Sequence, residues 1–236
     1  MAGTSATQQA AREIAHVEPL FKFDDKIAPA HTALLVIDMQ NDFMADGSMA
    51  DREGLDMSAI REMAGRLPDL CDAARKAGVL VVFVRNHYTT ERNFYLSDVW
   101  LEQAARARNG SYTVNPVCPP GEWGSEFYGN IRPGAGDVVV TKHRFNAFHN
   151  TDLDTVLRSN GIRTMVFTGC ATNVCVESTA RDAFMRDYYV VLTSDGTAAF
   201  SEAAHKATLA NIGQFFGQVA SISEVCSAWE RTAAGA

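Results

Sequence analysis

Short apolar runs rich in Val and Ile alternate with segments of helical periodicity from residue 33 onward, and this alternation constrains the fold more than any other feature. Repeated strand-helix-strand order, with strands that are apolar on both faces, is typical of a parallel sheet covered by helices. Six strands are predicted, at residues 33–37, 79–84, 137–141, 164–168, 189–193 and 219–222. The sequence therefore predicts an α/β domain built on a six-stranded, mostly parallel sheet.

Amphipathic stretches between these strands predict the covering helices. They occupy residues 58–77, 153–160, 174–186 and 202–216, and Gly78 and Gly161 directly follow two of them, as is common at helix ends. The stretch 87–133 differs, because it is irregular and contains several Pro, Gly and Trp residues. It predicts a short helix at 99–108 within lid or interface loops.

The chain is long enough for one substantial core. With 236 residues, 47% of them hydrophobic, its composition does not require a second domain. We predict a single domain over residues 31–236. Residues 1–30 lack clear periodicity, and we expect them to form an extension that packs on this domain or on a neighbouring subunit.

Charge and cysteine usage exclude several classes of protein. The formal charge of -7 is spread along the chain, so we expect neither a nucleic-acid partner nor binding to anionic membranes. The N-terminus lacks a signal-peptide pattern, and no apolar stretch approaches the roughly 20 residues of a membrane helix. The five cysteines include no Cys-x-x-Cys pair, which predicts a cytoplasmic protein without disulfides or a zinc site.

Three reactive residue types follow different predicted strands. Asp38 follows the first strand, Lys142 follows the third, and Cys175 lies shortly after the fourth. In an open parallel sheet, ligands bind outside the carboxyl ends of the strands, near the point where the strand order reverses. An acid, an amine and a thiol that are far apart in the sequence are thus predicted to meet at one edge of the sheet.

Cys175 has two interpretations. A single cysteine is commonly a small buried hydrophobic residue. In the alternative, Thr172 caps a helix whose first turn holds Cys175, so that the helix dipole and the unpaired N–H groups lower the pKa of the thiol and stabilise an oxyanion. The convergence with Asp38 and Lys142 favours the second interpretation, in which Cys175 is a nucleophile.

Asp38 and Lys142 also have structural alternatives. An Asp after a strand commonly caps a turn, and a Lys at a strand end is commonly solvated. In a catalytic site, Asp38 would take the proton of the thiol and later protonate the departing amine. The charge of Lys142 would keep Asp38 ionised and lower the pKa of Cys175.

Three blocks of the sequence carry a family resemblance: DMQNDF at 38–43, the lysine that closes VVVTK at 142, and GCATNVCVESTARDAF at 169–184. They resemble the isochorismatase-like cysteine hydrolases, which include nicotinamidases, N-carbamoylsarcosine amidohydrolase, biuret hydrolase and ureidoacrylate amidohydrolase. The resemblance covers residues 31–226, and the stretch 158–184 is most similar to the ureidoacrylate amidohydrolases.

The resemblance implies a three-layer α/β/α fold and a catalytic triad of Asp38, Lys142 and Cys175. It also implies a cis peptide bond directly before Ala171, with the N–H groups of Ala171 and Cys175 forming an oxyanion hole. Most members of the family have Ile or Val where this chain has Cys170, which is either an apolar filler or a second, redox-sensitive thiol. The implied activity is hydrolysis of a C–N bond in a small amide or ureido compound, by a homodimer or homotetramer.

Neither a cofactor nor a metal is expected. Members of the family with a metal beside the triad use an Asp-x-His-x-x-x-His type of segment after the second strand, and here that segment reads RNHYTTE at 85–91. A dinucleotide-binding oxidoreductase is excluded, since no G-x-G-x-x-G follows the first strand. A non-catalytic member of the family that acts as a binding protein is the remote alternative.

Position along the chain predicts six residues of the substrate pocket, namely Phe43, Asn86, Tyr95, Phe145, His149 and Asn173. Phe43 and Phe145 are expected to sandwich a planar ureido group, and Asn173 and His149 to bond its polar edge. As alternatives, the two phenylalanines belong to the core and Asn173 braces the start of a helix. The expected substrate is ureidoacrylate, with biuret, triuret and other carbamoyl amides as alternatives.

Overall fold

The computed structural model describes residues 5–108 and 110–234, and a six-stranded parallel sheet forms the centre of this part of the chain. The strands are β1 (Thr32–Ile37), β2 (Leu80–Asn86), β3 (Val138–Lys142), β4 (Thr164–Cys170), β5 (Tyr189–Ala198) and β6 (Gln218–Ala220). Their order is β3-β2-β1-β4-β5-β6, and each neighbouring pair is parallel. The predicted six-stranded α/β fold is confirmed, with a sheet that is entirely parallel.

Alternating side chains of the central strands supply two separate cores. Leu34 and Val36 of β1 belong to the core on one face of the sheet, whereas Leu35 and Ile37 belong to the core on the other. All of β1 is buried, because successive residues of a strand point to opposite faces and both faces are covered. The fold therefore has three layers.

The described residues form ten α-helices, some of which cover the two faces of the sheet. In chain order they are α1 (Ala6–Ile14), α2 (Phe23–Lys26), α3 (Met49–Arg52), α4 (Ser58–Ala64), α5 (Leu67–Ala77), α6 (Asp98–Ala107), α7 (Leu153–Ser159), α8 (Glu177–Met185), α9 (Glu202–Asn211) and α10 (Ile222–Ala234). Leu70 of α5 and Trp229 of α10 lie in the first core, and Leu157 of α7 and Ala180 of α8 lie in the second. In the described parts of the chain, none of these helices has the length and apolar character needed to cross a membrane.

Three predicted helices have different boundaries in the structure, and one of them, predicted over 174–186, is α-helical only from Glu177. The predicted helix 58–77 is split into α4 and α5, and Pro68 lies in the first turn of α5. Proline has no N–H to continue the hydrogen bonds of a preceding helix, so the break falls just before it. The predicted helix 202–216 is α-helical only to Asn211 and continues as a π-helical turn, Ile212–Phe216.

The later part of the predicted N-terminal extension contacts the domain through hydrogen bonds. Helix α1 has no buried residue. Farther along, the N–H of Leu20 donates to the hydroxyl of Tyr189 at 2.9 Å, and Nε1 of Trp229 donates to the carbonyl of Ile27 at 3.0 Å. Residues 20–30 therefore pack on the domain. Residues 1–4 of the predicted extension lie outside the described residues, and the boundary at residue 30 stays a prediction.

The 87–133 segment forms a small third core of its own. This core includes Tyr88, Tyr112 and Cys118, and Met49 of α3 joins it. Helix α6 lies within the segment, close to the predicted helix at 99–108. Because Met49 belongs to the chain that follows β1, this core joins the irregular segment to the edge of the sheet where Asp38 lies.

Candidate active site

The strand order reverses at β1, which lies between β2 and β4, and ligand sites of open parallel sheets form at such points. Asp38 follows β1 directly, Lys142 is the last residue of β3, and Cys175 lies in a π-helical turn, Thr172–Val176, that follows β4. The fold thus brings together the three residue types that the sequence separates.

Lys142 lies between the carboxylate and the thiol. Its Nζ is 2.9 Å from Oδ2 of Asp38 and 3.4 Å from Sγ of Cys175. The same Nζ lies 2.5 Å from Oδ1 of Asn86 and 3.1 Å from the carbonyl oxygen of Arg144. The exposed fraction is 0% for Lys142, 1% for Asp38 and 7% for Cys175. The three reactive groups form one contact network that is nearly closed to water, and the cysteine is its most accessible member.

Burial and mutual charge set the proton affinities of Asp38 and Lys142. Loss of hydration raises the pKa of Asp38, and the charge of Lys142 opposes this rise without reversing it. Burial disfavours the ammonium of Lys142, but Asp38 and Cys175 outweigh that effect, so the pKa of Lys142 is raised. Asp38 is therefore a stronger base than an exposed carboxylate, and Lys142 is a cation beside it.

The protonation of Cys175 differs from the sequence-based expectation. Burial and the Asp38 charge exceed the effect of Lys142 and raise the pKa of the thiol to about 12. The predicted cap at Thr172 was wrong, because its hydroxyl lies 2.9 Å from Nδ1 of His205 and the turn begins after Ala171 without a side-chain cap. Cys175 is a thiol at neutral pH, and a thiolate has to form by proton transfer to a neighbouring base.

The raised pKa predicts how Cys175 reacts with an alkylating reagent. Iodoacetamide reacts with the thiolate, whose fraction rises about tenfold per pH unit below a pKa of about 12. We expect the labelling rate to rise at that slope from pH 7 to 10 without a plateau, measured by mass spectrometry of the Cys175 peptide. Circular dichroism over the same range controls for unfolding. A plateau below pH 8 would show a stable thiolate and contradict the raised pKa.

A cavity of about 360 Å³ is lined by Asp38 and Cys175, two of the three reactive residues. Four of the six predicted pocket residues line it, namely Phe43, Asn86, Phe145 and Asn173. Tyr95 and His149 are not among its lining residues. The ring of Tyr95 stacks on that of His143, with centroids 3.6 Å apart, and His149 is exposed on the loop after β3. Their positions give no support to the prediction that these two residues contact substrate.

The cis peptide bond implied by the resemblance is present between Cys170 and Ala171. Ala171 and Cys175 both line the cavity, and the oxyanion hole assigned to their N–H groups stays a prediction. The thiol of Cys170 donates to the carbonyl of Asp38 at 3.3 Å, and burial raises its pKa well above the usual range. This environment favours the first interpretation of Cys170, as a small apolar residue whose thiol stays protonated.

Sequence reasoning missed several residues that line the cavity, and Tyr88 and Arg108 are the two that bear most on its chemistry. Tyr88 is 1% exposed, and within the described structure its hydroxyl has no hydrogen-bond partner. Buried polar groups without a partner are uncommon in folded proteins, so this hydroxyl is available to a bound molecule. The one sequence signal for Tyr88 is its position two residues after Asn86, at a strand end. Arg108 lies in the irregular segment and gave no signal.

Polar residues of the DMQNDF block form hydrogen bonds that hold the 87–133 segment against the edge of the sheet. Nε2 of Gln40 donates to the carbonyls of Asn86 at 3.0 Å and Ser125 at 2.9 Å, and its Oε1 accepts from the N–H of Asn86 at 2.7 Å. The carboxylate of Asp42 accepts from the N–H of Cys118 at 2.7 Å. Only Asp38 and Phe43 of this block were assigned a role from the sequence, whereas Gln40 and Asp42 position the wall of the cavity.

Comparison with known proteins shows the family. The isochorismatase domain profile matches residues 32–224. The chain belongs to the isochorismatase family. Ureidoacrylate amidohydrolase RutB of Enterobacter sp. (strain 638) is 38% identical over 211 residues, which cover 85% of this chain and 90% of that protein. The RutB of Pseudomonas syringae pv. syringae (strain B728a) is 39% identical over 226 residues, 93% of this chain and 90% of that protein.

Similarity to a solved structure supports the same family for this hydrolase. A cysteine hydrolase from Pseudomonas syringae pv. phaseolicola 1448A matches with a TM-score of 0.76 and 28% identity, covering 91% of this chain and 98% of that chain. The predicted family and fold are confirmed. Among residues 5–108 and 110–234, no group of three or more His, Cys, Asp or Glu side chains is arranged to hold a metal ion.

Proposed function

We propose that this isochorismatase-family protein is a cysteine amidohydrolase that cleaves a C–N bond in a small ureido or carbamoyl amide of the ureidoacrylate type. The observation that carries the proposal is the contact of Lys142 with both Asp38 and Cys175 beside a cavity of small-molecule size. Similarity to two proteins named ureidoacrylate amidohydrolase supports the substrate class. Biuret, triuret and other carbamoyl amides are the alternative substrates.

The first half of the proposed cycle forms a thioester. Asp38, whose pKa is raised, accepts the proton of Cys175, and the thiolate attacks the substrate carbonyl while Lys142 stabilises the negative charge. The N–H groups of Ala171 and Cys175 hold the oxyanion that develops on the carbonyl oxygen. The tetrahedral intermediate then collapses, and Asp38 gives its proton to the departing nitrogen.

The second half of the cycle returns the enzyme to its starting state. Asp38 takes a proton from water, the resulting hydroxide attacks the thioester carbonyl, and Cys175 leaves and recovers the proton. With a ureido substrate the products are ammonia or an amine together with a carbamate, which decays to carbon dioxide and ammonia. Each step uses only side chains, backbone N–H groups and water.

The walls of the cavity suit a small planar amide. Phe43 and Phe145 supply flat apolar surfaces. The hydroxyl of Tyr88, buried without a partner in the described structure, is a donor for a carbonyl group, and Asn86 and Asn173 add polar side chains. This combination favours a substrate whose reacting end is an amide or urea.

An ammonia-release screen tests the proposal. The compounds are ureidoacrylate, biuret, triuret, N-carbamoyl amino acids, nicotinamide and maleamate. We expect Cys175→Ser to lower ammonia release from the best substrate by at least about 10³-fold, because the serine hydroxyl is a much weaker nucleophile at neutral pH. Cys226→Ser, which removes a half-buried thiol from α10, is the matched control and should retain full activity.

Each outcome of the screen has a distinct meaning. Release that survives in Cys175→Ser would overturn the nucleophile assignment. Turnover of biuret or triuret without turnover of ureidoacrylate would select the alternative substrates. An intact fold with no turnover of any compound would favour a non-catalytic binding protein.

The oligomeric state and the cellular location of the protein are also proposals. We propose a homodimer or homotetramer, and the exposed apolar side chains of Phe184, Met185 and Phe215 provide surface that an assembly would cover. Light scattering of the purified protein tests this directly, and a monomeric mass at micromolar concentration would contradict it. The cytoplasmic location stays a prediction from the cysteine pattern.

A further inference from the structure

Arg108 lies at the end of α6 and lines the cavity, where it is half-buried whereas Asp38 is buried. Its Nη1 donates to the hydroxyl of Tyr112 at 3.0 Å. Its Cζ lies 5.1 Å from the ring centroid of Phe145 and 5.4 Å from that of Tyr112. Contact with two aromatic rings and one hydroxyl fixes the guanidinium at the cavity wall.

The positive charge of Arg108 is not neutralised by a carboxylate in the described structure. No Asp or Glu oxygen of the described residues lies within ion-pair distance of Arg108, although its neighbour on the same helix, Arg106, pairs with Glu102 at 2.8 Å. Glu53 also lines the cavity, where its carboxylate accepts from the hydroxyl of Ser111 at 2.7 Å and makes no ion pair with Arg108. A guanidinium has five N–H donors, and the single bond to Tyr112 leaves most of them for a ligand.

Aromatic rings lie between Arg108 and the reactive residues. Nζ of Lys142 lies 5.8 Å from the ring centroid of Tyr88. The Tyr88 ring lies 5.3 Å from that of Tyr112 and 6.5 Å from that of Phe145, which are the two rings that Arg108 contacts. Arg108 and Cys175 line the same cavity, so a ligand with its carbonyl at Cys175 reaches Arg108 with a tail that extends past these rings.

The two ends of the cavity differ in charge. At the inner end, Asp38 and Lys142 compensate each other, and Asn86 and Tyr88 are uncharged donors. At the outer end, Arg108 carries a positive charge that has no ion-pair partner among the described residues and lies beside aromatic rings. The inner end thus suits a neutral amide or urea, and the outer end suits an anion, for which a planar guanidinium is the best protein donor when that anion is a carboxylate.

We propose that Arg108 binds a carboxylate of the substrate, so that the enzyme selects a short ureido acid over an uncharged ureido compound of the same size. This inference rests on the proposed function, because it concerns the substrate that the Cys175 site cleaves. It separates ureidoacrylate, which is an acid, from biuret and triuret, which carry no carboxylate.

Turnover of an acid and of its neutral ester tests the inference. We expect Arg108→Gln to raise KM for ureidoacrylate by about 10- to 100-fold, with a smaller change in kcat, because a charge-assisted bond to the substrate is lost. KM for ureidoacrylate methyl ester should not change. Arg108→Lys should recover part of the affinity for the acid, and Arg106→Gln, on the same helix but paired with Glu102, should behave like the unmodified enzyme. An equal effect of Arg108→Gln on acid and ester would overturn the inference.

A binding measurement keeps this inference distinguishable from the proposed function. In the Cys175→Ser background, calorimetry with 3-ureidopropionate and with its amide requires no turnover. Tighter binding of the acid that Arg108→Gln abolishes would support the anion site even if no compound in the screen is hydrolysed. Turnover of biuret together with equal binding of acid and amide would support the amidohydrolase and overturn the role of Arg108.

Discussion

Replacement of Lys142 by methionine is expected to abolish turnover and to lower the free energy of unfolding by about 3–5 kcal/mol. Lys142 is 0% exposed, and its Nζ lies 2.9 Å from Oδ2 of Asp38, which is also buried. Methionine preserves the length of the side chain but leaves the carboxylate without a counter-charge, and it removes the cation that stabilises the thiolate of Cys175. Urea denaturation measures the stability, and ammonia release measures the turnover.

The loss of stability should depend on pH. Burial raises the pKa of Asp38, and without Lys142 it should rise further. Protonated Asp38 needs no counter-charge, so the stability of Lys142→Met should be better preserved at pH 5 than at pH 8, since a group with a raised folded-state pKa loses its contribution as the pH rises. The same loss at both pH values would indicate that Lys142 stabilises the fold by packing.

A double variant provides the matched control for Lys142→Met. Asp38→Asn combined with Lys142→Met removes both charges, and replacing a buried ion pair by uncharged groups is often close to neutral for stability. We expect the double variant to recover most of the lost stability and to stay inactive, because the general base is missing. A Lys142→Met variant that keeps turnover within about tenfold of the unmodified enzyme would contradict the assigned site.

Replacement of Gly169 by alanine is expected to cost on the order of 4–5 kcal/mol, or to prevent folding. Gly169 has φ +104°, in the region that favours glycine, and a Cβ there would overlap the carbonyl oxygen of Ile37 on the neighbouring strand β1. Strands β1 and β4 lead to Asp38 and Cys175, so relief of the overlap would move these residues apart. Denaturant unfolding and ammonia release measure the two effects.

Gly161 is the matched control for Gly169. It also has positive φ, +65°, but a Cβ at this position meets no atom within 4 Å. Gly161→Ala should therefore cost only about 1–2 kcal/mol for the left-handed backbone and leave activity intact. Equal stability loss at the two glycines would show that conformation, and not contact with Ile37, explains the requirement at residue 169.

The strand pattern of the fold could be predicted because apolar runs and their spacing are local properties of the sequence. The break between α4 and α5 was harder, since amphipathic periodicity continues across it, although Pro68 marked the position. The π-helical turn that holds Cys175 has no pattern of its own. Its geometry depends on partners such as His205, which lies 2.9 Å from Thr172 but 33 residues away in the sequence.

The residues of the substrate pocket could be predicted from the sequence only in part. Phe43 and Asn86 lie next to strand ends, and the parallel sheet places such residues at the cavity. Tyr95 and Arg108 both lie in the 87–133 segment, and only Arg108 lines the cavity. The segment has no periodicity to decide between them, and its placement depends on distant polar contacts such as those of Gln40.

Residue patterns were enough to predict the parallel α/β architecture and the meeting of Asp38, Lys142 and Cys175, because parallel strands bring their carboxyl ends to one edge of the sheet. The protonation of that site followed only from the folded chain. A residue at the start of a helical turn is expected to have a lowered pKa, yet burial beside Asp38 raises the pKa of Cys175 to about 12. Hydration and charge at a side chain depend on residues remote in sequence, and only the folded chain brings them together.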